Sequence, residues 1–441
     1  MPSVTHKLDE VYGVTRRQVP LTYVSRPSVD DRFLNEMRRD QHLVIYGTSK
    51  QGKSSLLRVA LNEDDYIEVH CATNWSKETL YSAILKEIGV AIVETTTSTR
   101  SRGSEASGSV GAEVGHSILA KITAKVTGAV NENSTESETT RMIPIDLSNA
   151  TDIIRLMSEI EFTKFVVVED FHYLPLNVQR QFANDLKVFF ETSPVSFIIV
   201  GVWLEANRLI VYNGDLAQRI TSIPADTWTA QDLAKVVRNG EPLLNIRFSD
   251  DVVDALVDGA QFNVGTLQDA VRQMCLARGL YVTANDTLVF DDTAAVRLAY
   301  GVVSEQLATR YANFIKKFSE GLRDQVLHMY KWIMHAVIVA SPEDRRAGLK
   351  TMDILRDVQA HHPRGTGIFQ NSVESALTNV AKVQVHAEIT PVIFDYDETH
   401  KRLTVVDNGL LVYLVNTPTE EALAFLANFA NEREDDDEGA P

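Results

Sequence analysis

Short apolar runs alternate with amphipathic segments over the first half of the chain. Runs of mostly apolar residues, which are typical of buried parallel strands, occur at 43–46, 165–168 and 195–200. Alternating positions at 66–70 and the short segment 221–224 predict two more strands. Amphipathic helices are predicted between the strands, at 77–88, 152–161 and 179–191. This order predicts an α/β fold with a parallel sheet covered by helices on both faces.

The pattern becomes helical after residue 228, and helices are predicted at 229–238, 250–258, 266–278 and 293–318. We expect the first three to form a helical cluster and the fourth to connect or pack the two halves of the chain.

The last third of the sequence has the element order of a winged helix. Three helices are predicted at 321–340, 351–359 and 369–383, and two strands are predicted on either side of a polar turn, at 389–394 and 402–406. The segments 410–415 and 420–429 close this α+β domain.

The charge of this winged helix bears on its partner. A DNA reader needs arginines or lysines for the phosphates, but the third helix carries only Lys382 against Glu374. The pattern therefore favours an intramolecular or protein-binding role, with DNA binding as the alternative.

Residues 92–148 differ in composition and are rich in Ser, Thr and Gly. Within them, 117–130 fits both a four-residue and a two-residue period, so the pattern does not separate helix from strand. We expect an insertion that is disordered or loosely ordered in the monomer. The alternative is an insertion that orders on self-assembly or on contact with a membrane or partner.

Composition narrows the class of protein. The 441 residues predict two or three domains, and a formal charge of −17 opposes general attraction to nucleic acid. The two cysteines, Cys71 and Cys275, provide neither a disulfide framework nor a metal cluster. No apolar run has the length of a membrane span, and the first residues lack a signal-peptide pattern, so we expect a cytoplasmic protein.

A glycine-rich motif follows the first predicted strand. Residues 47–54, GTSKQGKS, fit G-x-x-x-x-G-K-[ST] at every fixed position. The glycines let backbone N–H groups face phosphate oxygens, and the helix that starts near Lys53 adds its positive end. Lys53 is predicted to reach the β and γ phosphates, and Ser54 to ligate Mg²⁺. The predicted nucleotide-binding residues are Gly47, Thr48, Ser49, Lys50, Gln51, Gly52, Lys53, Ser54 and Ser55.

Two acids, Glu169 and Asp170, directly follow a predicted central strand. The C-terminal end of such a strand delivers carboxylates to a nucleotide site. We predict that Glu169 holds the Mg²⁺ shell through water and that Asp170 positions or deprotonates the attacking water. Both are candidate catalytic residues, and Glu169 is also a candidate metal residue.

Three further side chains have open assignments. Arg219 precedes the strand at 221–224 and is a candidate catalytic residue that reaches a neighbouring subunit's γ-phosphate; the alternative is a surface arginine paired with Asp215. Arg26 lies either near the adenine or ribose side of the site or at the surface. His172 is either a switch or proton carrier, or a packing or hydrogen-bonding residue.

Together these features resemble the AAA+ superfamily, in particular STAND-type signalling ATPases and archaeal origin-recognition-like ATPases, over roughly residues 20–415 apart from the insertion. Residues 47–54 match Walker A, 165–170 match Walker B, and Arg219 falls where these families carry an arginine finger or nucleotide sensor. The segment 23–34, which contains Arg26, resembles the segment that leads into their first strand. The resemblance implies a nucleotide-binding α/β domain, a helical lid and a winged helix, with ATP and Mg²⁺ as cofactors.

The sequence departs from the family pattern at three places. The usual polar sensor falls near 201–203 (GVW), and Asn207 is the nearest candidate. The lid motif G-x-x-R reads GTLQ at 265–268, and the nearest arginine is Arg272. The acidic pair is Glu-Asp rather than Asp-Glu. Slow turnover, or nucleotide used as a conformational latch, is therefore an alternative to rapid hydrolysis.

The predicted domains are a P-loop α/β domain at 1–227 with the insertion at about 92–148, a helical lid at 228–292, a connector and winged helix at 293–431, and an acidic tail at 432–441. The first hypothesis is a cytoplasmic ATPase switch that hydrolyses ATP, forms homo-oligomers and signals to a protein partner. Family resemblance implies a role in bacterial defence against phage or mobile elements. The alternatives are an ATP-dependent DNA-binding or loading protein, and a self-assembling or membrane-acting protein whose insertion is the effector.

Overall fold

The structure is a computed structural model that describes residues 4–13, 19–98, 114–128, 135–203, 208–321, 327–387, 389, 392–398 and 400–426. It separates into two compact units, here called the sheet unit (31–46 and 59–224) and the helical unit (1–30, 47–58 and 225–441). The predicted boundaries at 227, 292 and 431 stay predictions. No helix in the described ranges is long and apolar enough to cross a membrane.

Five parallel strands form the centre of the sheet unit. They are β1 His42–Tyr46, β2 Tyr66–His70, β6 Phe165–Glu169, β7 Phe197–Val200 and β8 Ile220–Pro224. Their order is β2-β6-β7-β1-β8, and every pairing is parallel. The central strands β6, β7 and β1 are almost wholly buried, which explains their continuous apolar sequences. The predicted parallel α/β sheet is confirmed.

Amphipathic helices alternate with these strands. They are α2 Asp30–Glu36, α4 Lys77–Glu87, α5 Ala150–Glu159, α6 Leu176–Thr192 and α7 Arg208–Tyr212. Ser76 and Asn149 cap α4 and α5 by accepting backbone N–H groups of the first turn. The apolar faces of α4 and α6 pack in the sheet-unit core, where Phe182 and Phe189 contact Phe197 of β7.

The insertion contains ordered strands in its described parts. β3 Ala91–Ser98, β4 Val114–Gly128 and β5 Thr135–Pro144 pair as an antiparallel sheet in the order β3-β4-β5. The expectation of a disordered or loosely ordered segment is wrong for these strands, and the ambiguous 117–130 pattern is a strand up to Gly128. The base of the sheet is anchored because Ala120 is fully buried in the sheet-unit core.

The first part of the helical unit contains short N-terminal and lid elements. They are α1 Leu8–Tyr12, α3 Lys53–Ala60, α8 Ala230–Leu244, α9 Asp250–Gly259, α10 Val264–Ala277, β9 Ile246–Phe248 and β10 Leu288–Phe290. Thr229, Ser249 and Asn263 cap α8, α9 and α10. The apolar faces of these helices share one core with α1, so the three predicted helices are confirmed as a cluster. Their role as a lid stays a prediction.

The long helix α11 Thr293–Glu320 confirms the helix predicted at 293–318, and its connecting or packing role stays a prediction. The elements after it are α12 Met329–Val339, α13 Pro342–Ala347, β11 Leu349–Lys350, α14 Thr351–His361, α15 Gln370–Thr378, α16 Val380–His386, β12 Phe394–Asp397, β13 Arg402–Val405 and α17 Asn408–Asn416. The three strands pair antiparallel in the order β11-β13-β12.

Three predicted elements of this region differ in extent. The helix expected at 321–340 begins only at Met329, because His328 before it adopts a left-handed conformation. The helix expected at 369–383 is two helices, since the Asn379 amide donates to the Ser375 carbonyl where α15 ends. The strand expected at 389–394 begins only at Phe394. The tail 432–441 and the end of segment 420–429 lie outside the described residues.

Candidate nucleotide site

The loop after β1 has the backbone that its glycines permit. Gly47 and Gly52 have φ angles of 136° and 82°, which residues with a side chain rarely adopt. A Cβ on Gly47 would also lie 3.2 Å from the Asp226 carboxyl carbon. Helix α3 begins at Lys53, directly after the second glycine, so the loop ends at a helix N-terminus as predicted.

The Lys53 ammonium lies within this loop. Its Nζ donates to the carbonyl oxygens of Gly47 and Thr48 at 3.0 and 2.6 Å. The neighbouring Ser54 and Ser55 occupy the first turn of α3 and are partly exposed. The loop therefore places a cation and two hydroxyl groups beside a helix N-terminus, which is a set of groups suited to phosphate oxygens.

Carbonyl groups on the outer side of the loop are bound by residues of the lid. The Asn263 amide donates to the Ser49 carbonyl at 3.0 Å, and the Gly265 N–H donates to the Lys50 carbonyl at 3.1 Å. The Lys50 ammonium also pairs with Asp269 at 3.1 Å. These contacts join the loop to the first turns of α10, so the loop and this lid helix form one hydrogen-bonded assembly.

Trp228 makes a similar contact from another segment. Its indole N–H donates to the Gln51 carbonyl at 3.3 Å. Gln51 is buried and donates its own amide to the Thr48 hydroxyl at 2.9 Å. The loop conformation is therefore held by a bond within the loop and by bonds from outside it to loop carbonyls. These bonds involve Thr48, Ser49, Lys50 and Gln51.

Asp226 is a site residue that the sequence reasoning missed. Its carboxylate accepts the backbone N–H of Thr48 and lies close enough to Lys53 and Arg26 to feel their charges. Burial nevertheless raises the pKa of Asp226 above its ordinary value. The available signal was its position two residues after β8, at the sheet edge where parallel strands end.

Arg26 is buried rather than at the surface, so the surface alternative is wrong. Only 2% of the residue is exposed, and its guanidinium lies over the Trp228 ring at 4.0 Å. Nη1 donates to the Ala225 carbonyl at 2.6 Å, whereas Nε and Nη2 have no hydrogen-bond partner among the described residues. Burial lowers the pKa of Arg26 from its ordinary value.

A cleft next to the loop contains both polar and apolar side chains. Its lining consists of Pro20, Thr22, Tyr23, Val24, Arg26, Lys50, Gly52, Ser55, Trp228, Val236, Val264, Gly265 and Gln268. The N-terminal segment, the glycine-rich loop and the lid therefore contribute to one concave surface. Such a surface, with few polar groups among apolar ones, is typical of a small-molecule site.

The lid motif places a glutamine, not an arginine, at this cleft. Gln268 is buried and donates to the Thr22 hydroxyl at 3.2 Å. Arg272 lies outside the cleft lining and pairs with Asp9 at 2.5 Å. Arg272 therefore contacts α1 and does not line the cleft.

Glu169 and Asp170 lie at the carboxyl edge of the sheet. Glu169 is the last residue of β6 and is 5% exposed, while Asp170 is half-buried in a left-handed conformation. Because β1 and β6 are parallel members of one sheet, the strand that leads into the glycine-rich loop and the strand that ends in the acids finish at the same edge.

A neighbouring strand adds groups that the sequence did not indicate. His70 pairs with Glu169 in the register of β2 and β6, and its Nδ1 lies 3.8 Å from an Asp170 carboxylate oxygen. The next residue, Cys71, is buried, and its pKa is raised by burial and by the charges of Asp170 and Glu169. His70, the last residue of β2, is therefore a further polar neighbour of Glu169 and Asp170.

His172 has a hydrogen-bonding role, in agreement with the second of its two predicted assignments. Its Nδ1 accepts the Val202 N–H at 3.3 Å and so connects the segments after β6 and β7. The predicted sensor region is occupied by Trp203, whose ring would overlap any Cβ on Gly201. Asn207, the nearest polar candidate, lies outside the described residues.

Arg219 directly precedes β8 and so lies at the amino ends of the parallel strands, opposite to the ends that carry the acids. It donates to the Asp215 carbonyl and pairs with Glu191 at 2.9 Å. The alternative of an ion pair with Asp215 is met only in part: Arg219 contacts the Asp215 carbonyl, and the Asp215 carboxylate pairs with Lys187 at 2.6 Å. The glycine-rich loop and the acids follow the carboxyl ends of β1 and β6. Arg219 is therefore positioned away from the strand ends that carry the acids.

Comparison with known proteins agrees with this architecture. The model of the AAA domain family matches residues 36–210. A Walker-type ATPase of Pyrococcus abyssi superposes with a TM-score of 0.52 at 13% identity, over 90% of this chain and 99% of that chain. At this identity the likeness concerns the fold.

Two other solved structures superpose less closely. Cdc6p from Pyrobaculum aerophilum gives a TM-score of 0.38 at 12% identity, over 96% of this chain and 98% of that chain. The Orc1 protein of Aeropyrum pernix, in complex with DNA, gives 0.44 at 11% identity, over 95% and 98%. No curated protein matches the sequence.

The domain match covers the segment that contains four of the five parallel strands, the glycine-rich loop and the acidic strand end. The fold similarity to the Pyrococcus abyssi protein extends over 90% of this chain. Residues 36–210 therefore match the AAA domain family, and this matched segment contains the P-loop motif at 47–54.

Proposed function

We propose that this protein binds and hydrolyses ATP and uses the nucleotide state as a switch. The observation that carries the proposal is the loop at 47–52, whose two positive-φ glycines and enclosed Lys53 lie next to the cleft that contains Arg26. These are the groups that a nucleoside triphosphate requires: N–H donors and a cation for the phosphates, and a partly apolar surface for the base.

In this proposal the residues at 47–55 hold the phosphates. Lys53 exchanges its bonds to the loop carbonyls for the β and γ phosphates, and the Ser54 hydroxyl is a ligand for Mg²⁺. Glu169 would hold Mg²⁺ through water. The bound Mg²⁺ supplies charge stabilisation to the phosphates. Hydroxyl and carboxylate oxygens are the ligands that this cation prefers, so the residues present fit it.

The base and ribose occupy the cleft. Val236 and Val264 offer apolar contacts, and Gln268 offers an amide. The unpartnered Nε and Nη2 groups of Arg26 supply hydrogen-bond donors that no other described residue uses. These unused donors support the placement of Arg26 near the adenine or ribose side of the site.

Hydrolysis depends on the two acids at the end of β6. Asp170 is half-buried and positions or deprotonates the attacking water, while the more buried Glu169 stays near the metal. Because no arginine of the lid motif lines the cleft, the catalytic cation comes from Arg219 of a neighbouring copy in an oligomer.

The switch works through the contacts between loop and lid. Asn263 and Gly265 bind loop carbonyls, so a change in loop conformation on phosphate binding shifts α10. The helices and strands of 329–416, which we interpret as a winged helix, transmit the shift to a protein partner. Lys401 pairs with Glu374 at 3.8 Å, which reduces the free positive charge of that surface and favours protein over DNA.

Light scattering of the purified chain tests the switch. The mass should grow with a non-hydrolysable ATP analogue but not without nucleotide or with ADP.

Lys53→Ala should abolish or severely weaken binding of a fluorescent ATP analogue, whereas Lys187→Ala, which removes a surface lysine paired with Asp215, should not. Unchanged affinity in Lys53→Ala would refute the nucleotide site, and a monomer in every state would refute the oligomeric switch. Salt-sensitive DNA binding would support the DNA-loading alternative.

A further inference from the structure

Three side chains with metal-binding chemistry converge in the C-terminal part of the helical unit. His335 lies on α12, and Asp357 and His361 lie four residues apart on α14. One potential ligand atom from each lies within 4.8 Å of the others. We propose that these residues form a binding site for a divalent transition-metal ion, with Zn²⁺ as the representative ion. None of the three lines the nucleotide cleft.

The Asp357 carboxylate contacts both imidazoles, whose ring centres lie 4.4 Å apart. One carboxylate oxygen is 2.8 Å from His335 Nδ1, and the other is 3.2 Å from His361 Nδ1. Tetrahedral zinc with bonds of about 2.1 Å separates neighbouring ligand atoms by roughly 3.4 Å. The observed separations are slightly shorter than this, so small side-chain rotations bring the three groups into coordinating positions.

Helix packing fixes the relative positions of these ligands. The four-residue spacing of Asp357 and His361 places both on one face of α14. Ile333 and Val337 of α12 and Val358 of α14 are fully buried in the core of this region and hold the two helices together. The site is therefore supported by rigid elements rather than by loops.

The site is also accessible from solvent on one side. The His335 and Asp357 side chains are 15% and 16% exposed, whereas the His361 side chain is 49% exposed. An ion can therefore reach the cluster past His361 and keep a water molecule as its fourth ligand.

The ligand types determine which ions are expected. Two imidazole nitrogens and one carboxylate oxygen suit Zn²⁺ and the neighbouring first-row ions, whereas Mg²⁺ and Ca²⁺ prefer sets of oxygen ligands. The cluster should therefore discriminate against the Mg²⁺ that accompanies nucleotide, and the two kinds of site can be measured separately.

The adjacent histidine has a different role. His362 Nε2 lies 3.2 Å from the Leu327 carbonyl, and its Nδ1 accepts the Arg364 N–H at 2.9 Å. His362 therefore stabilises the turn after α14 and is not a ligand. The Trp332 ring centre lies 6.0 Å from that of His335 and 5.3 Å from that of His362, with tilted planes.

The competing arrangement is a metal-free network in which both imidazoles bind only the carboxylate. His361 Nδ1 also lies 2.9 Å from the Asp357 carbonyl, so a donor N–H there would favour the network. Metal binding requires an unprotonated nitrogen and therefore releases any proton carried at the ligating position.

Calorimetric titration of the untagged, chelator-treated chain with Zn²⁺, without nucleotide, tests the proposal. We expect one saturable site that is retained in excess Mg²⁺. His361→Ala, which changes the most exposed ligand, should weaken Zn²⁺ binding at least tenfold, and Asp357→Asn should do the same. His400→Ala is the matched control, because it removes an exposed histidine that pairs with a single carboxylate, Asp397, at 2.6 Å.

A second measurement guards against misfolded variants. Zn²⁺ should raise the thermal midpoint of the wild type and of His400→Ala, but not that of His361→Ala, whose midpoint without metal should stay near that of the wild type. Equal Zn²⁺ affinity in the wild type and His361→Ala, or an absence of saturable binding in the wild type, would overturn the proposal in favour of the metal-free network.

Discussion

The guanidinium carbon of Arg26 lies 4.0 Å from the centre of the Trp228 ring. Burial lowers the pKa of Arg26, and two of its nitrogen groups have no acceptor among the described residues. An arginine buried in this way costs folding free energy, because its lost hydration is only partly replaced by the Ala225 carbonyl and the indole. We expect that a bound ligand supplies the missing acceptors.

Replacing Arg26 by Met should therefore separate stability from binding. The variant should keep its free energy of unfolding within about 1 kcal/mol of the wild type, because removal of an incompletely bonded cation offsets its lost attraction to Asp226. Its affinity for a fluorescent ATP analogue should fall about tenfold, which corresponds to ~1.4 kcal/mol. Urea unfolding and equilibrium titration measure the two quantities. Arg272→Met is the control, since Arg272 pairs with Asp9 outside the cleft. Reduced stability with unchanged affinity would make Arg26 a purely structural residue.

Asn263 tests the coupling between loop and lid. Its carbonyl caps α10 by accepting the Thr266 N–H at 2.9 Å, while its amide binds the Ser49 carbonyl. Asn263→Ser should retain the cap but lose the contact with the loop. We expect a loss of about 1 kcal/mol in stability and faster hydrogen exchange in α10 without nucleotide. Asn245→Ser changes another lid asparagine, and exchange in α10 that matches this control would contradict the coupling.

The two acids at the end of β6 should have separable effects. Asp170→Asn should spare nucleotide binding and slow hydrolysis by about 10²- to 10⁴-fold, the range for loss of a general base. Glu169→Gln should raise the Mg²⁺ concentration needed for half-maximal hydrolysis. Phosphate release measured over a Mg²⁺ series distinguishes these effects. If Glu169→Gln abolishes hydrolysis at saturating Mg²⁺ while Asp170→Asn does not, the two roles are reversed.

His42 should make the sheet unit sensitive to acid. Its Nε2 donates to the Leu186 carbonyl at 2.9 Å and its Nδ1 accepts the Phe197 N–H at 3.1 Å, so the folded chain requires the neutral ring. Burial lowers the pKa of His42 from 6.5 to about 4. Below pH 6.5 the unfolded chain gains a proton that the folded chain excludes, so stability is full above this pH and falls between pH 6.5 and 4.

The expected loss is about 3 kcal/mol at pH 4, from roughly 1.4 kcal/mol per unit of pKa difference. Urea unfolding at a series of pH values measures it as the difference between the wild type and His42→Gln. Gln retains a donor and an acceptor but does not titrate in this range. Parallel stability curves for the two proteins would contradict the role of His42.

The parts of the site that lie within one segment were predictable from sequence. The apolar strand, the glycine spacing and Lys53 follow one another along the chain, and each has a local physical requirement. Arg26, Asp226 and Trp228 were harder to identify because their contacts join segments that are distant in sequence, as in the bond from Trp228 to Gln51. Such contacts are set by tertiary packing, which a local pattern does not contain.

The insertion illustrates the same limit for secondary structure. The segment from Ile118 fits helix and strand periods equally, and the choice between them depends on the strands that pair with it. Ile118 to Lys121 of β4 pair with Glu94 to Ala91 of β3 on one side, and β4 pairs with β5 on the other. Because composition alone suggested disorder, the pairing partners were the missing information.

Arg219 provides the test of a shared active site. In one chain its guanidinium is held by Glu191 and the Asp215 carbonyl, at the sheet edge opposite to the acids. We therefore expect Arg219→Ala to leave ATP binding intact and to slow hydrolysis about 10²-fold or more, as for loss of an arginine finger. Glu191→Gln, which removes the ion pair but keeps the arginine, should hydrolyse ATP at least as fast as the wild type.

Mixing two inactive variants separates action between copies from action within one chain. Lys53→Ala lacks a working loop but keeps Arg219, and Arg219→Ala has the converse defect. If Arg219 acts on a neighbouring copy, the mixture should hydrolyse ATP although neither variant does so alone, because some interfaces then combine an intact loop with an intact arginine. If the mixture stays inactive although the two variants assemble with each other in the presence of ATP, Arg219 instead acts by fixing the segment between α7 and β8 through Glu191, and the catalytic cation must come from another residue.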